Sequence, residues 1–535
     1  MRLVIVATSL IALLVGLAFV RATADTPAGA GRILHLSIAS EPHSLLPIAA
    51  TVVDEGALAR LAFDTLVEFD DTNHAQPDLA AVVPTLANGG IAKDGVTITL
   101  HLRHDVKWQD GVPLTSADVA FTIHAILDPA NNVANRSLYI NVTSVDAPDP
   151  YTVVFHLAQP QASFLATVGV AYPILPKHLL EHSANLATDP FNAQPIGSGP
   201  YKLVHWARGD RLEYTANPTY FRGAPKIANL TVITITDFNT LGIQLRQHAI
   251  DFSLVDSGTF NTLRGAPDLK LLTEPFSNFN AVAMNMAHPI LKDRRVRLAL
   301  VKAIDRKTIT RTVSFGTGVP AYGDLPLFVY GGHPPAGWDE ADPAEARALL
   351  DAAGWKLGAN GIREQHGTPL HLDMIGFSGS PTQASMALQL QQMLRAVGVD
   401  VAFKTYVTSL YFAPASAGGP LTSGNFDLAT FGFQNGVDSH NGEIYLCASR
   451  IPHGFNVSNY CNPEMDRLQA RSEREYDPAL RDRIVTQIED LAVHDAVSIF
   501  LYHTPYRIAQ DPALKRPTAS LDNQWYDIQD WTFTK

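Results

Sequence analysis

Residues that could perform chemistry are concentrated in one short segment, TITLHLRHDVKWQDGVPLTSADV, which spans Thr97 to Val119. Its candidate acids, bases and ligands are His101, His104, Asp105, Asp110 and Asp118. Histidines and carboxylates at such density are typical of a metal site or of an acid/base pair. Whether they serve either purpose depends on the elements that position them.

The segment begins with the alternation of a half-buried β-strand. Its apolar positions are Ile98, Leu100, Leu102, Val106 and Trp108. Successive side chains of a strand point to opposite faces, so His101 and Asp105 share the wet face but lie about 13 Å apart, at roughly 3.3 Å per residue. Ligands of one metal ion lie about 2 Å from it, and His104 is predicted on the opposite face. These three residues therefore cannot form one site.

Asp110 and Asp118 have structural explanations as well. Gln109-Asp110-Gly111 has turn composition, and Thr115 with Asp118 matches a capping box at the start of a helix. The apolar stripe of that helix is Val119, Ile123, Ile126 and Leu127, before a stop at Asp128-Pro129. The segment is therefore interpreted as a strand, a turn and a capped helix.

No other pattern in the sequence predicts catalysis, a metal site or a cofactor. The elbow G-x-S-x-G, the zinc helix H-E-x-x-H and the phosphate loop G-x-x-x-x-G-K-[ST] do not occur. Gly197-Ser198-Gly199-Pro200 lacks the phosphate-loop spacing, and we interpret it as a tight passage before a strand, in which glycine supplies freedom of φ. We therefore predict no catalytic residues, no metal ligands and no cofactor.

Composition indicates a large globular protein with an acidic surface. A chain of 535 residues is too long for one ordinary core, and 46% hydrophobic with 17% charged residues is typical of a folded protein. We expect two or three structural lobes. The net charge of -12 repels nucleic acid and anionic lipid, so nucleic-acid binding is not expected.

Residues 1–24 have the layout of a secretory signal peptide. An apolar run from Leu3 to Val20 precedes Ala22-Thr23-Ala24, a small-x-small cleavage site. The run is long enough that an uncleaved membrane anchor is an alternative. Export to an oxidising compartment favours a disulfide between Cys447 and Cys461, where the alternative is two free thiols.

The rest of the chain mixes strand and helix patterns. Strands are predicted at 34–39, 152–157, 230–235 and 281–286, and amphipathic helices at 294–304, 343–353, 383–397 and 480–493. The segment 370–406 is predicted as strand, helix and strand, with a parallel pair buried on both faces. One α/β lobe is therefore predicted at roughly 275–505, and the preceding mature residues would form the other.

Four sequence blocks resemble those of one protein family. The block LRHDVKWQDGVPLTSADV, Leu102 to Val119, is similar to the signature of the family 5 extracellular solute-binding proteins, the peptide- and nickel-binding receptors of ABC importers. The other blocks, in the family's order, are PIGSGPYKLVHWARGDRLEYTANPTYF (195–221), FNAVAMNMAHPILKDRRVRLALVKAIDRKTI (279–309) and NYCNPEMDRL (459–468). Together they extend across nearly the whole mature chain.

The resemblance implies an α/β, two-lobe periplasmic-binding-protein fold, in which a hinge lets the lobes close on a ligand like a flytrap. Lobe I would comprise 32–273 and 506–535, with an extra subdomain at about 70–192, and lobe II would comprise 274–505. The protein would be a periplasmic monomer that binds a small-molecule or peptide ligand and delivers it to an ABC permease in the inner membrane. With an uncleaved leader, it would be anchored to the outer face of that membrane.

Ligand contacts in a two-lobe receptor come from loops that face the cleft. Resemblance and loop position together indicate segments at 40–47, after 255, and at 277–280, 319–324 and 431–441. The candidate ligand-binding residues are Ser40, His43, Val255, Asp256, Asn278, Phe279, Tyr322, Phe433, Gln434, Asn435, Asp438 and His440.

The segment FGFQNGVDSHN (431–441) resembles the family's G-W-x-x-x-x-D-P or G-W-x-x-D segment, which supplies an aromatic wall and a carboxylate. Phe433 replaces the tryptophan, Asp438 fits the longer spacing, and the shorter spacing falls on Gly436. In peptide receptors of the family the carboxylate pairs with the ligand's α-amino group, so Asp438 is the candidate ammonium anchor. The alternative is a loop aspartate in an Asx-turn. His440 replaces an often acidic or proline position, so the ligand need not be an ordinary peptide.

The preferred hypothesis is a receptor that binds an oligopeptide or dipeptide-like solute and performs no chemical step. A receptor for a metal chelate, haem or a sugar is an alternative, because Phe433 and Gly436 depart from the family pattern. An exported hydrolase is a third hypothesis, although the sequence offers no nucleophile or metal motif that supports it.

Overall fold

The structure, a computed structural model, describes residues 31–534 apart from 51–52, 132, 134–135, 327–339 and 379. The predicted leader at 1–24 lies outside the described residues. The strands are β1 Leu34–Ile38, β2 Val67–Phe69, β3 Ala75–Pro77, β4 Thr97–His101, β5 Val142–Asp149, β6 Thr152–Leu157, β7 Tyr201–Ala207, β8 Arg211–Ala216, β9 Asn229–Thr234, β10 Phe252–Leu254, β11 Lys270–Glu274, β12 Asn278–Met284, β13 Val319–Pro320, β14 Lys356–Leu357, β15 Arg363–Gln365, β16 Thr368–Pro369, β17 His371–Phe377, β18 Asp400–Tyr406, β19 Leu428–Gln434, β20 Ser498–His503, β21 Tyr506–Gln510, β22 Leu514–Lys515 and β23 Thr532–Phe533.

Helices alternate with these strands along the chain. They are α1 Val53–Ala62, α2 Ser116–Leu127, α3 Phe164–Ala166, α4 Lys177–Leu180, α5 Phe238–Arg246, α6 Ser257–Leu263, α7 Arg294–Lys302, α8 Arg306–Val313, α9 Pro343–Ala352, α10 Pro381–Arg395, α11 Thr408–Tyr411, α12 Pro420–Ser423, α13 Gly442–Tyr445, α14 Pro463–Ser472 and α15 Pro478–His494. In the part of the chain that the structure describes, no helix is both long and apolar enough to cross a membrane. All four predicted strands and all four predicted helices are present, with ends shifted by a few residues.

A seven-stranded sheet has the order β11-β21-β10-β1-β9-β8-β7. The late strand β21 lies between β10 and β11 and is antiparallel to both, so the chain returns to this sheet near its end. Ile508 and the neighbouring Ala509 belong to different hydrophobic clusters, because successive side chains of β21 point to opposite faces. The sheet therefore has a core on each face.

A six-stranded sheet, with the order β13-β20-β12-β19-β17-β18, is built from residues 278–503. The predicted unit β17-α10-β18 is present, and its strands are parallel from His371 opposite Asp400 to Phe377 opposite Tyr406. The expectation that both strands are buried on both faces is wrong. His371 and Asp373 in the first half of β17 are exposed, and so is much of β18. Strand β18 is an edge strand in which Lys404 and Thr405 are exposed, as their polarity requires.

The segment 97–119 is scaffold, as its pattern predicts. It contributes β4 to a three-stranded sheet with the order β4-β6-β5, and its apolar side chains Ile98, Leu100, Leu102, Val106 and Trp108 are all buried. The predicted capping box is present, since the carboxylate of Asp118 accepts the backbone N–H of Thr115 at 2.8 Å. Asp110 pairs with His178 at 2.8 Å, and no metal-ligating group of three or more side chains occurs among the described residues.

One prediction for that segment, the orientation of His104, is wrong. The strand ends at His101, so the alternation does not continue through His104. His104 is exposed rather than turned inward, and its ring stacks on Tyr151 with a centroid distance of 4.0 Å. A bend at His104 and Asp105 leaves this ring outside, while Leu102 and Val106 on either side of it stay buried.

The glycines of the 197–200 passage serve close approach rather than freedom of φ. Neither Gly197 nor Gly199 has a positive φ. A Cβ atom on Gly197 would lie 1.7 Å from the carbonyl oxygen of Ala62, and one on Gly199 would lie 2.6 Å from its carbonyl carbon. The N–H of Gly199 donates to that same oxygen at 2.8 Å, so the end of α1 lies directly against the start of β7.

Gly197→Ala should therefore lower the free energy of unfolding by about 1–3 kcal/mol, because the added methyl group forces the backbone away from Ala62. The measurement is urea unfolding followed by circular dichroism. Gly56→Ala is the matched control: Gly56 lies inside α1 with nothing within 4 Å of its added Cβ, so the change should be neutral or slightly stabilising. Equal effects of the two substitutions would contradict the close-approach explanation.

Candidate functional site

Two short connections join the seven-stranded and six-stranded sheets, one from β11 to β12 and one from β20 to β21. The side chain of Asn278 ties them together: its Nδ2 donates to the carbonyl of Thr504 at 2.6 Å, and its Oδ1 accepts from the N–H of Thr504 at 3.0 Å. His503 Nδ1 lies 2.6 Å from the carbonyl oxygen of Asn278 and must donate, since a carbonyl only accepts. Burial lowers the pKa of His503 to about 4, so the ring is neutral at this crossing.

Strand β19 carries the start of the segment 431–441 and runs beside β12. The ring of Phe433 is half-buried, with centroid distances of 6.4 Å to Phe279 and 6.2 Å to Phe455. Phe279 is only 1% exposed and also packs against Phe431 and Phe500, so it lies in the core, whereas Phe455 is 62% exposed. Phe433 therefore connects the core to an exposed aromatic surface, and the neighbouring Gln434 is exposed.

Beyond Gln434, a buried polar network fixes this segment to the loop at 319–324. The N–H of Asn435 donates to the carbonyl of Ser277 at 3.1 Å, and its Nδ2 donates to the carbonyl of Asp324 at 2.8 Å. The Nδ2 of Asn441 donates at 3.0 Å both to Asp324 and to Glu489, and its Oδ1 accepts from Gln469. Segments 277–280, 319–324 and 431–441 therefore meet, and their role in ligand binding stays a prediction.

The network contains two buried carboxyl groups. Asp324 is 0% and Glu489 is 1% exposed, and Tyr445 donates its hydroxyl to Asp324. Burial raises the pKa of Glu489 well above its ordinary value, and the adjacent Asp324 raises it further. Burial raises the pKa of Asp324 as well, and Asn441 is the donor that both carboxyl groups share.

The candidate anchor Asp438 is engaged within the chain. Arg481 binds its carboxylate in a bidentate manner, at 2.6 Å to Oδ2 and 2.7 Å to Oδ1. The N–H of His440 also donates to Oδ1 at 2.7 Å, which is the Asx-turn given as the alternative. A carboxylate has about four acceptor positions, so about one is left for a ligand ammonium.

Glu473 and His440 complete a charge cluster of Asp438, His440, Glu473 and Arg481. Arg481 also donates to Glu473 at 3.2 Å, and His440 Nδ1 lies 3.1 Å from Glu473 Oε1, an ion-pair distance without hydrogen-bond alignment. Burial raises the pKa of both carboxyl groups, but Arg481 and His440 more than offset it, so both pKa values lie below their ordinary range. The cluster therefore holds two anions and at least one cation.

His440 gives the cluster a pH dependence near neutrality. Burial lowers its pKa, but Glu473 and Asp438 outweigh burial and the repulsion from Arg481, so the pKa is raised above 6.5. A raised histidine pKa contributes stability that is fully present below the unfolded pKa and is lost as pH rises through the folded pKa. The stability advantage of the wild type over His440→Gln should therefore shrink as pH rises from 6 to 9.

Urea unfolding of both proteins across that pH range measures the advantage. Above pH 6 the two carboxyl groups, whose pKa values are lowered, stay ionised and do not interfere. His182→Gln is the control, because His182 is almost fully exposed. An advantage of His440 that stays constant, or that grows with pH, would contradict the ion pair with Glu473.

The candidates from the early segments lie on the side of the seven-stranded sheet. Ser40 Oγ donates to Asp54 at 3.1 Å, and the exposed ring of His43 lies 3.1 Å from Glu55, so α1 holds this loop. Val255 is buried, and Asp256 caps α6 by accepting the N–H of Thr259 at 2.8 Å. These residues are positioned by local structure, and their role in ligand binding stays a prediction.

Tyr322 is buried in the 319–324 loop, with the guanidinium of Arg306 at 5.7 Å from its ring centroid. The predicted disulfide between Cys447 and Cys461 is confirmed and leaves no free cysteine. It joins the segment after α13 to the residue just before the cap of α14, and so closes the far end of the 431–441 region.

Sequence reasoning missed Glu473 and Arg481, the two members of the charge cluster that lie outside the 431–441 segment. The partners Asp438 and Arg481 are 43 residues apart, and no local motif connects them. The one available signal is the position of Arg481 on the predicted helix α15. Arg481 lies outside the apolar stripe of that helix, where a charged side chain is free to pair with another segment.

Comparison with known proteins shows one family that this chain matches over most of its length. The family model described as bacterial extracellular solute-binding proteins, family 5 middle region, matches residues 81–450. Protein XP55 of Streptomyces lividans is 30% identical over 475 residues, which is 88% of this chain and 83% of XP55. The oligopeptide-binding protein AppA of Bacillus subtilis is 27% identical over 486 residues, 89% of this chain and 87% of AppA.

Solved structures agree with the sequence relatives. The crystal structure of NikZ from Campylobacter jejuni in complex with Ni(L-His) is similar with a TM-score of 0.76 and 26% identity, over 94% of this chain and 99% of NikZ. The likeness confirms the predicted fold class, an α/β, two-lobe periplasmic-binding-protein fold.

Proposed function

Because the chain belongs to the bacterial extracellular solute-binding proteins of family 5, we propose that it captures an oligopeptide or dipeptide-like solute between two lobes and delivers it to its permease. It is a solute-binding receptor of an ABC importer. The peptide class is supported by the relative AppA, which is named for binding oligopeptides. The structural observation that carries the proposal is the 431–441 segment, which begins beside the connections between the two sheets. Phe433 and Phe455 form an aromatic wall there, and Asn435 fixes the following loop to Asp324.

We assign the lobes from the sheets. Lobe I is 32–273 with 506–535, around the seven-stranded sheet, and lobe II is 274–505, around the six-stranded sheet. The three-stranded sheet would form the subdomain at about 70–192, with a core that also includes Leu46, Ala62 and Phe63 of lobe I. The two connections tied by Asn278 are the hinge, because they are where the chain passes between the sheets.

The proposed ligand contacts of lobe II are side chains that solvent can reach. Phe433, Gln434 and Phe455 offer an apolar face with one amide, which suits a backbone or side chain of a peptide. Ser40, His43, Val255 and Asp256 would approach from lobe I. An ammonium group could add about one bond to Asp438, whose charge Arg481 already neutralises, so free-amine recognition by Asp438 would be weak.

A metal chelate is the second candidate solute, because the similar structure of NikZ contains Ni(L-His). Among the described residues no three metal-ligating side chains come together, so a chelate would bring its own ligands. In either case the protein performs no chemical step, acts as an exported monomer and binds no nucleic acid, in keeping with its charge of -12.

A retention experiment tests the peptide assignment. Protein freed of solute by unfolding and refolding is mixed with a defined pool of peptides of two to ten residues, separated by gel filtration and analysed by mass spectrometry. We expect a subset of the peptides to be retained and recovered intact. Retention of Ni(L-His) but of no peptide would favour the chelate, and shortened peptides would indicate a hydrolase.

A further inference from the structure

Tyr476, in the turn between α14 and α15, inserts into the subdomain rather than into its own lobe. Its hydroxyl accepts the N–H of Gln161 at 3.0 Å and donates to the carbonyl of Gly95 at 2.8 Å. Its ring packs against the hydrophobic core of the three-stranded sheet. A Cβ atom on Gly95 would lie 2.8 Å from the ring and 3.1 Å from Pro160, so Gly95 and Pro160 form a slot that the ring fills.

Glu473 makes a second contact with the same part of the subdomain. Its Oε2 accepts the hydroxyl of Ser163 at 2.7 Å, and its carbonyl accepts the N–H of Ala162 at 2.9 Å. Arg481 and His440 hold the carboxylate from the side of lobe II. Glu473 is therefore fixed in the orientation that Ser163 requires.

These contacts lie between segments that are far apart in the chain, since Gly95 and Tyr476 are separated by 381 residues and Ser163 and Glu473 by 310. These hydrogen bonds can form only while the subdomain is in contact with lobe II. We propose that Tyr476 and Glu473 form a latch that holds the subdomain on lobe II and stabilises the closed conformation. The inference rests on the proposed function, in which the lobes open and close.

The latch is coupled to the candidate ligand loop. The Nδ2 of Asn73 in the subdomain donates to the carbonyl of Val437 at 2.8 Å, and Val437 packs with Phe69 and Leu521. The next residue along the loop is Asp438, which shares Arg481 with Glu473. A solute that orders the 431–441 segment therefore strengthens the latch, and an engaged latch orders the segment for the solute.

Spin-label distance measurements test the latch without any solute. Ser144 in β5 and Leu388 in α10 are exposed, and a nitroxide on a cysteine at each position reports the separation of the subdomain from lobe II. The native disulfide uses both natural cysteines, so the labels attach only to the introduced ones. The protein is the mature chain, refolded free of solute.

In the doubly labelled protein without further substitutions, we expect two distances between the labels, a short one and a long one. Tyr476→Ala should lower the ratio of short to long by about tenfold or more, because it removes two hydrogen bonds and the ring contact. Tyr476→Phe keeps the ring in its slot and should have a smaller effect. Tyr151→Ala, the same change elsewhere on the subdomain surface, should leave the ratio unchanged.

An unchanged ratio in a Tyr476→Ala protein that folds normally by circular dichroism would overturn the latch, and so would a starting protein with only the long distance. If Tyr476→Ala does not fold, an unchanged ratio in Tyr476→Phe overturns the hydroxyl contacts by itself. Because no solute is present, a failure of the latch and a failure of the proposed function are seen in different experiments.

Discussion

Arg481→Met is expected to lower the free energy of unfolding by about 3–5 kcal/mol at pH 7, the typical cost of removing one partner from a buried charge pair. Arg481 binds both oxygens of Asp438 and one oxygen of Glu473. Methionine has similar length but no charge, so two carboxylates would be left in a mostly buried position. Urea unfolding at constant ionic strength measures the loss.

The pH dependence of the loss identifies its cause. Without Arg481, the pKa values of Asp438 and Glu473 rise, because burial, which opposes ionisation, is then offset by His440 alone. The deficit of Arg481→Met should therefore be smallest near pH 4 and should grow as pH rises to 7. A deficit that does not vary with pH would mean that lost packing, and not charge, is responsible.

A second substitution provides the matched control. Asp438→Asn in the Arg481→Met background removes one of the stranded charges and should recover part of the stability, whereas Asp438→Asn alone should be destabilising. Additive losses in the double variant would contradict direct coupling between the two residues. Arg467→Met is a control for the loss of an arginine, because its pair with Glu464 is exposed.

Asn441→Ala should have the second largest effect, a loss of about 2–4 kcal/mol in the free energy of unfolding. Its Nδ2 is the donor shared by Asp324 and Glu489. Both carboxyl groups would therefore lose a hydrogen-bond donor while remaining buried. Each buried polar group left without its partner costs about 1–3 kcal/mol. Urea unfolding measures the loss of stability.

The same substitution should weaken solute binding. Asn441 ends the 431–441 segment, and the network that it organises holds the 319–324 loop beside that segment. Loops that must be ordered on binding reduce affinity. Asn425→Ala is the control, because Asn425 is an exposed asparagine that precedes β19, and the change should alter neither stability nor affinity. A fully stable Asn441→Ala protein would show that the carboxyl pair needs no shared donor.

Periodicity predicted the elements of the fold, since each helix and strand buries a stripe set by its own repeat. The β17-α10-β18 unit is an example, yet the exposure of β18 depended on its place at the edge of the sheet, which only the assembled sheet reveals. Gly197 is a similar case. Its sequence context indicated a tight passage, but the reason for glycine is the carbonyl of Ala62, far away in the chain.

The candidate site was predictable where it follows from local sequence. The Asx-turn at Asp438 involves a residue only two positions away, and Asn435 and Tyr322 lie in loops at strand ends. The partner Arg481 and the contact of Tyr476 with Gly95 join distant segments, so no motif could indicate them. Phe279 was proposed as a ligand contact from its place at the crossing, but the structure places its side chain in the core.

Native mass spectrometry of the exported protein, purified from its own host without added ligand, tests the receptor assignment most directly. A receptor is expected to retain one intact small solute per chain, released on unfolding, and the peptide proposal predicts the fragmentation pattern of a peptide. The complex should persist unchanged during incubation, because no chemical step follows binding. A chain that never carries a solute, or one that converts the bound molecule into products, would contradict the assignment.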